Sequence, residues 1–288
     1  MKAVQRKKPK LGQNFLRDVS AARKVVEALG DISQATVIEI GPGKGAITES
    51  LAASARRLIA IELDRTLSAQ LRMEYARRPN VEILEGDVLQ VNFPNLIARK
   101  PAPLLVTSLH ALGEQHERAR VVGNVPYYIT SAILLHLMES HEWLDTIVIM
   151  VQKEVADRIA ARPGTRDYGL LSATVQLFTR VEKLFTLPPE AFSPPPKVHS
   201  SVLRLKVAPR LHELGIEANS FLDFLKTAFA KKRKTLVNNL RAHYPQTEIV
   251  AALKAAHVQA AARAEALSLE QMARIHKLLA ATHPSLSE

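Results

Sequence analysis

The spacing of apolar residues changes several times along the chain. Residues 20–29 place them at helical intervals and predict a helix. From Thr36 onward they gather into short, β-branched runs at 36–40, 57–61, 81–84, 121–124 and 146–150, with two more at 181–187 and 201–207. Helical spacing returns between the runs, at 46–55, from beyond Asp64 to about 77, and at 130–140, 152–161 and 170–178. Strand and helix in alternation predict an α/β fold, with a mainly parallel sheet covered on both faces. Past Val207 the pattern is helical only, at 221–229, 234–240, 246–257 and 269–279. A boundary near Pro209 divides the chain into an expected α/β domain, 1–208, and a small all-helical domain, 209–288.

Composition narrows the function. The 288 residues carry 39 Lys and Arg against 28 Asp and Glu, a formal charge of +11. Folding does not need that surplus, so a polyanionic partner such as nucleic acid is the expectation, with an anionic membrane surface as the competitor. No apolar run reaches the length of a membrane-crossing helix and no signal peptide is visible at Met1, which predicts a cytoplasmic protein. The absence of cysteine removes disulfides, thiolate metal sites and cysteine nucleophiles. Lys2, Arg6, Lys7, Lys8 and Lys10 form a basic arm, and 95–117 is a polar link between strands. His110 and His116 in that link lack ligand spacing, and no metal is expected.

The candidate chemistry sits at strand ends, where open α/β sheets bind ligands. Gly41-Pro42-Gly43-Lys44-Gly45 follows the first run, with neither the spacing of a dinucleotide fingerprint nor that of a Walker loop. Its glycines allow a ligand close to the backbone at a helix start. Glu62 ends the second run and can accept both hydroxyls of a ribose; Asp87 ends the third and can accept an exocyclic amine, while Val88 N–H can reach a purine ring nitrogen. Two acids without a basic clamp suit an adenosine that bears no phosphate. Either acid alone would equally be a helix cap. Gly123-Asn124-Val125-Pro126-Tyr127-Tyr128 ends the fourth run. Asn124 can accept one N–H of a planar amine, a carbonyl fixed at Pro126 another, and Tyr127 can stack on the ring. A plain turn rich in Asn and Pro is the other reading.

Leu11-Gly12-Gln13-Asn14-Phe15-Leu16, Glu39-Ile40-Gly41-Pro42-Gly43, Glu62, Gly86-Asp87-Val88, Asn124-Val125-Pro126-Tyr127 and the stretch from Phe192 to Val198 occur in that order. Together they closely resemble the ribosomal RNA adenine dimethyltransferases, in their bacterial small-subunit (16S) branch. The resemblance runs from about Lys8 to Leu240. It implies a class I S-adenosylmethionine-dependent methyltransferase, a Rossmann-like seven-stranded sheet with a small all-α C-terminal domain. In such a protein Asn14 and Leu16 would lie against the cofactor, Gly41 and Gly43 beneath its methionine part, Glu62 at the ribose and Asp87 at the adenine. Asn124 would stand between cofactor and target, with the Pro126 carbonyl as second acceptor and Tyr127 and Phe192 on either side of the target base. Without the family, Phe192 reads as a core aromatic. Lys231, Lys232, Arg233, Lys234 and Arg241 would meet RNA phosphates. The implied partner is small-subunit rRNA in a 30S-like particle, met by a monomer. Val125 stands where the family usually has Leu or Ile, and 95–117 is longer than its usual link. The alternatives are a resistance-type methyltransferase of large-subunit RNA, a non-catalytic assembly factor and, less favoured, a DNA adenine methyltransferase.

Overall fold

The computed structural model describes residues 14–99 and 117–282. The basic arm, Gly12, His110 and His116 lie outside the described residues. In chain order the regular elements are β1 (Phe15–Leu16), α1 (Val19–Glu27), β2 (Thr36–Ile40), α2 (Thr48–Ser54), β3 (Arg57–Glu62), α3 (Arg65–Glu74), β4 (Val81–Glu85), α4 (Phe93–Ala98), β5 (Ala119–Asn124), α5 (Thr130–Glu139), β6 (Leu144–Gln152), α6 (Lys153–Ile159), α7 (Leu170–Phe178), β7 (Thr179–Leu187), β8 (Phe192–Ser193), β9 (Ser200–Val207), α8 (Leu211–Leu214), α9 (Ala218–Ala228), α10 (Leu236–Leu240), α11 (Gln246–Ala255) and α12 (Leu269–Thr282).

Seven strands form one sheet in the order β4-β3-β2-β5-β6-β9-β7. The pairs from β4 to β6 are parallel, and β9 runs antiparallel to both β6 and β7. Every residue of β2 and β3 is buried, as expected of parallel strands covered on two faces. The chain leaves β2 toward β3 and β4, then returns to β5 on the other side of β2. This reversal opens a crevice at the carboxyl ends of β2 and β5, the usual ligand position in such sheets. At that point β2 and β5 lie so close that a Cβ on Gly123 would come within 2.9 Å of the Ile40 carbonyl.

Local chemistry sets the element starts near the crevice. Asp64 caps α3 by accepting from Thr66 and Leu67 N–H, and Asp18 caps α1 through Ala21 N–H. The C-terminal helices share their apolar cluster with the α/β part: Phe221, Leu225, Leu236, Ile249 and Ile275 are buried in the same group as Ile38, Ile59 and Ile147. The basic run Lys231–Lys234 is an exposed turn rather than the start of a helix, because Thr235 caps α10 through Asn238 N–H.

A second, two-stranded sheet pairs β1 with β8 antiparallel, Phe15 opposite Ser193 and Leu16 opposite Phe192. Arg17 N–H extends it to the Ala191 carbonyl at 2.8 Å. The segment 14–16 is thereby laid as a strap along one side of the crevice.

Candidate active site

The crevice is lined by Asn14 and Leu16 of the strap, Gly41, Gly43 and Lys44 after β2, Glu62 at the end of β3, Asp87 and Val88 after β4, and Asn124, Val125, Pro126 and Tyr127 after β5. All residues expected at a cofactor therefore meet in one place, along with Pro126 and Tyr127. Successive strand ends bring them there, not proximity in sequence.

Gly41, Gly43 and Gly45 adopt φ of 67°, 59° and 81°, the left-handed region that favours glycine. At Gly43 a Cβ would stand 2.9 Å from the Phe15 ring. The loop thus runs directly beneath the strap, and the Lys44 ammonium lies 4.9 Å from the centre of the same ring. Glu62 is 3% exposed, and its two carboxylate oxygens accept from Gly43 N–H at 2.9 Å and Asp64 N–H at 2.8 Å. Each oxygen retains a second lone pair, so the carboxylate is held rigidly and still able to accept two hydroxyls. Asp87 uses Oδ1 to cap Leu89 N–H at 2.9 Å and has its other oxygen to spare. Its capping and ligand roles are compatible.

Glu39 stands in the quoted motif without an expected role, although an acid within the apolar run 36–40 is itself a signal. It is 2% exposed, lines the crevice, and its Oε2 has no hydrogen-bond partner among the described residues. Burial, reinforced by the Glu62 carboxylate, pushes its pKa up to about 8. Three carboxyl groups, a glycine cradle that a Cβ would fill, and one unmatched buried acceptor fit a ligand bearing a cationic amine, a diol and a purine.

Asn124 donates from Nδ2 to the Asn14 carbonyl at 2.8 Å. The strap thereby takes one of the two N–H groups of the amide and orients it with Oδ1 as acceptor. The expected second acceptor needs correction. The Pro126 carbonyl already takes Ile129 N–H at 3.2 Å and the Thr130 hydroxyl at 3.3 Å, closing the turn that follows. The carbonyl of the preceding Val125 accepts nothing among the described residues, and a residue before proline is confined to extended backbone, which fixes where that oxygen points. Tyr127 lines the crevice with its ring, and its hydroxyl meets the Ser200 hydroxyl at 2.7 Å.

Phe192 is not brought to the crevice. It is 2% exposed in a core cluster with Leu16, Leu187 and Val202, because pairing of β8 with the strap turns its side chain inward. Lys231, Lys232, Arg233, Lys234 and Arg241 also lie apart from the crevice lining and are exposed; the Lys232 ammonium holds the Arg166 carbonyl at 2.8 Å.

Comparison with known proteins agrees with this fold. A family model described as ribosomal RNA adenine dimethylase matches residues 4–281. The ribosomal RNA small subunit methyltransferase A of Koribacter versatilis is 57% identical over 273 residues, covering 95% of this chain and 94% of the relative. Among solved structures, the 23S rRNA methyltransferase ErmE superposes with a TM-score of 0.65 at 27% identity, covering 92% of this chain and 99% of its own. A dimethyladenosine transferase from Plasmodium falciparum gives 0.71 at 23% identity, covering 91% and 95%, and supports the fold alone.

Proposed function

Because the chain belongs to the ribosomal RNA adenine dimethylase family, we propose that its crevice moves methyl groups from S-adenosylmethionine to the exocyclic amines of two adjacent adenosines near the 3′ end of small-subunit (16S) rRNA. The observation that carries the site reading is the Asn124 amide, its nitrogen held by the Asn14 carbonyl and its Oδ1 without a hydrogen bond among the described residues at the end of β5.

Glu39 and the Gly41–Gly43 loop would hold the methionine end of the cofactor under Asn14 and Leu16, Glu62 the ribose, and Asp87 with Val88 N–H the adenine. When bound, the cofactor supplies a sulfonium methyl that is already a good electrophile. The protein's task is then alignment and desolvation. The lone pair of an adenine amine is delocalised into the ring. By accepting its N–H groups, Asn124 Oδ1 and the Val125 carbonyl favour a pyramidal nitrogen whose lone pair is free to attack. A monomethylated amine has one N–H left, and one acceptor suffices for the second transfer. No strong base is needed, because the methylated ammonium is acidic enough to lose its proton to water, and the step uses no metal.

A target base in folded RNA must leave its stack at a cost of a few kcal/mol. Stacking on Tyr127 offsets this by roughly 1–3 kcal/mol. Lys231, Lys232, Arg233, Lys234 and Arg241, on the helical part 209–288, would anchor phosphates while 1–208 carries the chemistry. The substrate is read as rRNA within a 30S-like particle, met in the cytoplasm by a monomer.

The test is methyl incorporation from labelled cofactor into unmodified 30S particles, 50S particles and duplex DNA, followed by digestion to nucleosides. Dimethyladenosine from 30S alone is expected. Label in 50S would move the chain to the large-subunit activity, and cofactor binding without label anywhere would leave an assembly factor. Asn124→Ala should lower transfer at least a hundredfold while cofactor binding weakens only moderately; equal losses would make Asn124 a cofactor ligand alone.

A further inference from the structure

Tyr127 is the stacking face in the proposal above, and what orients its ring is not in its own turn. The single turn Tyr127–Ile129 begins without a side-chain cap, is only half-buried, and opens on the crevice. The phenol hydroxyl reaches across to Ser200, 73 residues further on, and the two hydroxyl oxygens are 2.7 Å apart. Ser200 is fully buried, at 0% exposure, and begins β9. Its backbone is locked on both sides, opposite Gln152 of β6 and Leu187 of β7, and the Lys153 N–H adds a bond to the neighbouring His199 carbonyl at 2.9 Å. The Ser200 hydroxyl makes no other hydrogen bond among the described residues. One end of this contact belongs to a sheet strand paired on both sides, the other to an uncapped one-turn helix at the crevice.

We propose that Ser200 is a positioning residue for methyl transfer, fixing the axis of the Tyr127 ring beside the place that receives the target base. The inference rests on the stacking role given to Tyr127. The chemistry is simple. A tyrosine ring can rotate about two side-chain bonds, and a ring that must wait to be aligned stacks less well than one already held. A hydroxyl pair between the far end of the ring and a sheet strand stops the ring axis swinging about the first bond; about the second it acts only through the preference of a phenol O–H for the ring plane, and it covers neither ring face. Burial raises the pKa of the Tyr127 phenol and the Ser200 bond opposes the rise, so the phenol stays neutral and able to donate over the working range. Ser200 touches neither cofactor nor base and acts only through Tyr127.

The experiment is a double-mutant cycle on the full chain with 30S particles as substrate. Ser200→Ala and Tyr127→Phe each delete one hydroxyl while keeping the ring. Each should lower kcat/KM for 30S about fivefold, leave the dissociation constant of S-adenosylmethionine unchanged, and leave the melting temperature within a few degrees of the parent. The double variant should be no worse than either single one, because both remove the same bond. Tyr127→Ala should fall further, since it removes the ring itself.

If Tyr127→Ala retains full turnover, the stacking role itself fails. If Tyr127→Ala is impaired while Ser200→Ala and Tyr127→Phe behave as the parent, stacking stands and the positioning role of Ser200 is overturned. Additive losses in the double variant would overturn it as well. A Ser200→Ala protein that melts much earlier would be judged on Tyr127→Phe alone, whose altered atom lies at the crevice side of the pair.

Discussion

At the scale of single residues, the site holds its acceptors by spending their neighbours. Asn124 has its donor end tied to Asn14, Glu62 is fixed through two backbone N–H groups, and Asp87 caps a turn with one oxygen while offering the other. Glu39 is the exception, a buried acid whose Oε2 is unmatched. Burial holds its folded pKa up at about 8, above the ordinary carboxylate value of 4.5, so between those values the folded protein binds a proton that the unfolded chain releases. Stability must therefore fall as pH rises through that window, by up to about 1.4 kcal/mol per pH unit from this one group. Below the window the neutral acid carries no such penalty. Glu39→Gln should flatten the dependence of melting temperature on pH between 5 and 8 and melt higher than the parent at pH 8, in the absence of cofactor. Parallel curves for the two proteins would show that Glu39 is ionised throughout. The unmatched oxygen is then a stability cost held at a binding surface.

At the scale of elements, much was legible and some was not. The long buried strands, the helices between them and the helical C-terminal part all follow from period, and the strand ends named Gly41, Glu62, Asp87 and Asn124 because the sheet places its ligands there. The strap and β8 escaped because two residues carry no period; α4 escaped because a proline in its first turn reads equally as a loop. Ser200 gave no signal at all, since its partner is 73 residues away. The Pro126 carbonyl was misassigned because sequence does not say which oxygens a turn consumes. Phe192 is the most instructive case: the residues alone read as a core aromatic, only the family resemblance puts it at a base, and the pairing of β8 with Leu16 buries it. Phe192→Ala should destabilise the protein by roughly 3–5 kcal/mol through the cavity it leaves. Phe192→Leu should regain most of that stability and, with it, most of the turnover. A Phe192→Leu protein that melts like the parent yet transfers no methyl would return Phe192 to the base.

At the scale of the whole molecule, the formal charge of +11 finds an outlet in the exposed turn between α9 and α10, which the shared apolar core ties to the sheet. Its four cations are not equivalent. Lys232 is engaged with the Arg166 carbonyl, whereas Lys231, Arg233 and Lys234 make no ion pair among the described residues. Replacing Arg233 by Ala should therefore reduce the slope of log affinity for RNA against log salt by about 0.7–0.9, with cofactor affinity unaltered. Lys232→Ala should change the slope less and loosen the turn. An unchanged slope for Arg233→Ala would remove the turn from the RNA contact. The strap has a different reach. It roofs the glycine loop through Phe15, holds the Asn124 amide through Asn14, and is the sole strand partner of β8 among the described residues. The proposed donor and acceptor pockets thus share one wall, and by thermodynamic reciprocity any strengthening that one occupant gives the other through that wall is returned by the same factor.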